Sequence, residues 1–92
     1  MIPDTQDFEK ALDALPTGTS IGRYDGQRYA ATKTLFKNGQ SVKLVAEALS
    51  GADYISLNFY KLASGPRLFP CEMAASKVIA FVIDYCPDQV VE

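Results

Sequence analysis

The sequence predicts an α+β domain: a short N-terminal helix, an antiparallel meander of four or five strands, and a C-terminal apolar helix packed on one sheet face. Three observations predict it. Apolar residues recur at helical spacing over 8–15, and again more densely over 70–85. Between those stretches the period drops to two, most clearly over 54–60. Asp25-Gly26 and Asn38-Gly39 punctuate this middle region as two-residue turns suited to tight hairpins. Helices set apart from an antiparallel sheet define the class, because one sheet face must be buried and a helix can cover it.

In chain order, Asp4 is the expected cap of the first helix, and acidic residues over its first turn suit the helix dipole. Phe8, Ala11, Leu12 and Leu15 form one apolar stripe, and Pro16-Thr17-Gly18 ends the helix. A short strand is expected over 20–24 and a longer one over 27–37, whose two faces are weakly distinguished. In the strand expected over 41–49, Val42, Leu44, Ala46 and Ala48 share one face, with Lys43, Val45 and Glu47 on the other. A turn at 50–53 leads to the clearest strand, 54–62. Here Ile55, Leu57 and Phe59 point one way, and Tyr54, Ser56, Asn58 and Tyr60 the other. Residues 63–66 read as a loop, and Arg67-Leu68-Phe69 offers a fifth, short edge piece. The helix expected over 70–85 is apolar nearly all round. It therefore needs cover on more than one side, from the first helix, a second copy of the chain or another protein. Pro87 is read as its stop.

A chain of 92 residues is expected to be a single domain, with 87–92 a frayed tail. The hydrophobic fraction of 48% and charged fraction of 22% are those of a globular chain. The net charge of −2 divides into −3 over 1–19, +4 over 20–70 and −3 over 71–92, a basic middle between acidic ends. No basic leader followed by an apolar run opens the chain, and no stretch reaches the ~20 apolar residues of a bilayer span. No membrane association is expected. Cys71 and Cys86 flank the expected helix, roughly 22 Å apart at its rise per residue, too far for a bridge. Two reduced thiols fit a cytoplasmic protein.

Histidine is absent, so neither an imidazole-activated nucleophile nor an imidazole metal site can be built. Phosphate-binding glycine motifs and paired-cysteine motifs are absent too. No cofactor and no metal are expected, and a binding role is favoured over catalysis. The first expectation is a small binding module that contacts itself, as a homodimer, or another protein through its sheet face or its last helix. The alternative is single-stranded nucleic-acid binding through Tyr54, Tyr60, Asn58, Lys43, and whichever of Arg28 and Lys33 faces outward, since rings stack bases and cations hold phosphates. A third, distant reading is thiol chemistry at Cys71, because a cysteine at a helix N-terminus gains acidity from the dipole and the free amides.

Overall fold

The computed structural model of the chain describes residues 5–71 and 73–91. Eight principal elements follow in the order α1 (Thr5–Ala14), β1 (Gly18–Tyr24), β2 (Gln27–Phe36), β3 (Ser41–Ala48), β4 (Tyr54–Leu62), β5 (Gly65–Pro70), α2 (Ala75–Asp84) and β6 (Cys86–Val91). The class is α+β, and the sheet has six antiparallel strands rather than four or five, in the order β5-β4-β3-β2-β1-β6. The first five form the expected meander. The sixth is a correction: most of the stretch expected to fray returns to the sheet beside β1. The capping expectation at Asp4 lies outside the described residues.

Alternation in β3 and β4 is as expected. Val42, Leu44, Ala46, Ala48, Ile55, Leu57 and Phe59 are all buried. Residues paired in register share a face, so Tyr29, Ala31 and Lys33 of β2 lie on this same side, opposite Ala48, Ala46 and Leu44. The helices contribute to it as well. Phe8 of α1 meets Phe59 with ring centroids 5.4 Å apart, Phe81 of α2 meets Tyr29 at 5.1 Å, and the Tyr85 and Ser20 hydroxyls are 3.0 Å apart. One buried cluster holds the Phe8, Leu12 and Leu15 stripe, the sheet residues, and Val78, Phe81, Val82 and Tyr85 at i, i+3, i+4 and i+7. The apolar last helix thus finds its cover inside the chain, between sheet and α1. Burying each such side chain favours folding by about 1.5–3 kcal/mol before entropy.

Two local features depart from expectation. The Asp25-Gly26 hairpin is the expected two-residue turn, with both residues at positive φ. Phe36, however, pairs with Ser41, so the second hairpin closes through the four residues 37–40, a short 3₁₀ turn with Lys37 and Asn38 also at positive φ. The second helix begins at Ala75 rather than at 70, because residues 65–70 are used as the edge strand β5.

That edge has a particular chemistry. The Cys71 amide donates to the Ser56 carbonyl at 3.0 Å. In an antiparallel ladder, hydrogen-bonded pairs recur every second residue, so Gly65, Arg67 and Phe69 also turn their amides toward β4. Positions 66, 68 and 70 turn outward, and two of these are Pro66 and Pro70, which have no amide proton. Leu68 is left as the single outward donor of β5.

Candidate binding face

The register assigns every sequence-predicted site residue to a side. Tyr54, Asn58 and Tyr60 of β4, Lys43 of β3 and Arg28 of β2 lie on the face opposite the helices. Lys33 does not. It lies five positions after Arg28, so within one strand the two must point to opposite faces. Lys33 is 5% exposed, and its ammonium donates to the carbonyls of Leu12, Asp13 and Leu15 at 2.8, 3.2 and 2.9 Å. It ties down the C-terminal end of α1, where unpaired carbonyls and the negative end of the dipole attract a cation. Helix α1 has no basic residue in its own last turn. Desolvation on burial lowers the Lys33 pKa.

The face residues fall into two groups. At the end carrying the Asp25-Gly26 turn, Tyr54 lies opposite Glu47, and Arg28 is 3.5 Å from Asp88, with Arg23 directly across from Arg28. At the other end, register places Phe36, Ser41, Tyr60 and Arg67 in one row across β2, β3, β4 and β5. The adjacent row holds Thr34, Lys43, Asn58 and Phe69. The Tyr60 and Phe69 rings meet edge to face at 5.5 Å. Phe36 and Phe69 are about half exposed, as are Tyr54 and Leu62. Sequence reasoning missed Phe36, Arg67 and Phe69. Phe36 has the same parity as Arg28 within β2, which is the one signal that could have flagged it.

Cys71 corrects the thiol reading. It does not open a helix; it follows β5, its amide bonded to Ser56, and its sulfur accepts from the Asn58 side-chain amide at 3.7 Å. The dipole argument for a reactive thiol is thereby removed. Cys86 lies in β6, four strand spacings from β4, or about 19 Å, so the thiols stay far apart and both are free.

On the helical side, Asp53 accepts from the Tyr29 hydroxyl at 2.7 Å and from Lys77 of α2 at 2.7 Å, joining the β3–β4 turn to α2. The Lys77 and Tyr29 bonds hold the Asp53 carboxyl below its ordinary pKa. Burial, then the bond to Asp53, pushes Tyr29 up to about 12. Lys61 of β4 reaches Asp13 at 3.0 Å and Glu9 at 3.7 Å on the same side. The described acidic groups thus gather mainly on helices and turns, while the open face carries Arg23, Arg28, Lys43 and Arg67 against Glu47 and the Asp88 that pairs with Arg28. Among the described residues, no three His, Cys, Asp or Glu side chains come together as a metal site would need, and no helix is long and apolar enough to cross a membrane. Comparison with known protein families, curated proteins and solved structures finds no match to this chain.

Proposed function

We propose that the chain is a small, non-catalytic binding module whose contact surface is the sheet face opposite the helices. The reading takes α1 and α2 as the cover of one face only. The observation that carries it is what the other face exposes: Phe36, Tyr54, Leu62 and Phe69, each about half accessible. An antiparallel face that merely meets water is polar, and grouped exposed apolar side chains mark contact surfaces. The sheet face is preferred over the last helix because the Val78, Phe81 and Val82 stripe already packs into the chain's own core. Catalysis is less well supported, since histidine is absent and Asp53 is engaged by Tyr29 and Lys77. Two free thiols fit a cytoplasmic setting.

Titrating a small-fragment library against the ¹⁵N-labelled chain tests the reading. Amide shifts should cluster on β2 to β5 residues of the open face; shifts confined to α1 and α2, or spread without pattern, would overturn it. Occupation of the face by a second copy is checked by sedimentation at two concentrations, where a dimer mass should revert to one chain's on Phe69→Ser.

A further inference from the structure

We infer, resting on the sheet-face reading above, that one end of this face holds a short single strand of nucleic acid. The patch consists of Phe36, Lys43, Tyr60, Arg67 and Phe69, with Lys37 following Phe36 in the loop 37–40. Three properties point to that ligand.

The first is the rings. Phe36 and Phe69 are 48% and 52% exposed, although phenylalanine gains nothing from water. Phe69 is backed by Tyr60, which fixes it as a platform. Phe36 in β2 and Phe69 in β5 stand three strand spacings and one row apart, about 16 Å. That accommodates about two or three bases, the number commonly stacked on exposed RNA-binding sheets.

The second is charge. The two rows contain Lys43 and Arg67 and no carboxylate, and among the described residues neither cation is in an ion pair. The chain's described acidic residues lie instead on α1, α2, the turns, β6 and the far end of the face. A net charge of −2 therefore coexists with a locally cationic, aromatic surface.

The third is the polar remainder. Thr34, exposed, and Asn58, half-buried, share these rows, offering donors and acceptors that suit base edges or sugar hydroxyls. A face built for an acidic protein would need the cations but not the half-exposed phenylalanine rings.

Fluorescence anisotropy with labelled, random-sequence single-stranded DNA and RNA of about 12 nucleotides tests this. Binding is expected at about 50 mM salt, with log affinity falling against log salt at a slope of about −2 for three phosphate contacts. Phe69→Ala should weaken it about 5- to 150-fold, the loss of one stacked base. Lys43→Glu should also weaken it strongly, whereas Arg28→Ala, at the far end, should change it by about twofold or less. Circular dichroism checks that each variant is folded.

No anisotropy change at low salt overturns the inference, as does equal binding of poly-glutamate that ignores Phe69→Ala, which would mark a site for acidic protein. If fragments map to the open face while oligonucleotides fail to bind, only this inference falls. If oligonucleotide shifts map to the helices, the sheet-face reading falls with it.

Discussion

Replacing Lys33 by methionine should measurably destabilise this protein, although in the sequence Lys33 is, like Lys43, a candidate for the open face. The Lys33 ammonium satisfies the Leu12 and Leu15 carbonyls in the buried interior and the Asp13 carbonyl at its margin. Methionine fills similar volume but donates nothing. The Leu15 carbonyl left unpaired costs about 1–3 kcal/mol, whereas the Leu12 carbonyl keeps the Leu15 amide at 3.2 Å. Against this, the variant no longer has to desolvate an ammonium, a penalty of a few kcal/mol that the three bonds now offset. The net expectation is a destabilisation of about 1–2 kcal/mol, since the unpaired Leu15 carbonyl and the lost charged hydrogen bonds are partly offset by the relieved desolvation. For a domain of this size that lowers the melting temperature by about 4–16 °C. The assay is thermal and urea unfolding followed by circular dichroism, with Lys43→Met as control, which should stay within about 0.5 kcal/mol because its site is exposed. Hydrogen exchange adds a local readout, since the last turn of α1 should lose protection first. Equal stability of the two variants would refute the assignment of Lys33 as the clamp on α1.

Four further outcomes follow. Gly22→Ala should destabilise by about 1–3 kcal/mol or more, because its new Cβ would run into the Cys86 carbonyl oxygen and lie 2.7 Å from the Pro87 Cα, both β6 backbone; unchanged exchange protection of β6 amides would contradict this. Stability should fall as pH rises from about 10 to 12, because the folded state holds the Tyr29 proton to about 12 while the unfolded chain releases it near 10; Tyr29→Phe should shallow that fall, measurable by urea titration across the range. Lys33 acts with opposite sign, its lowered pKa making stability rise as pH climbs toward 10.5, a slope that Lys33→Met should abolish. At the acid end, the depressed Asp53 carboxyl stabilises the fold fully above 3.8 and loses that contribution as pH drops through its folded value; Asp53→Asn should therefore flatten the acid limb, and an unaltered limb would sink the assignment.

The parts of the fold governed by local pattern were legible in the sequence. Strict alternation marked β4, the Asp25-Gly26 pair marked its turn, and the Phe8, Leu12 and Leu15 stripe marked α1. What escaped depended on partners distant in the chain. Pro87 reads as a helix stop, yet in β6 it sits opposite Gly22 at an irregularity in the ladder, where the edge of a sheet tolerates a residue with no amide proton. Pro70 reads as the first residue of a helix but closes β5 instead. Of the residues suggested for a site, Tyr60, Asn58 and Lys43 come together, Tyr54 and Arg28 stand at the other end, and Lys33 is enclosed. Phe36, Arg67 and Phe69 escaped because their proximity is created by register between strands some thirty residues apart, which composition does not reveal.

The prolines of β5 have a consequence for how this chain behaves in a crowd. Bare sheet margins are nuclei on which neighbouring chains can crystallise into fibrils, laying down one strand after another. Here one margin is chemically passivated, offering a newcomer a single proton where it would look for three. Among the described residues, strand accretion is left to the β6 flank, so growth there proceeds from one side, and two copies that meet at that flank use up the seam it offers.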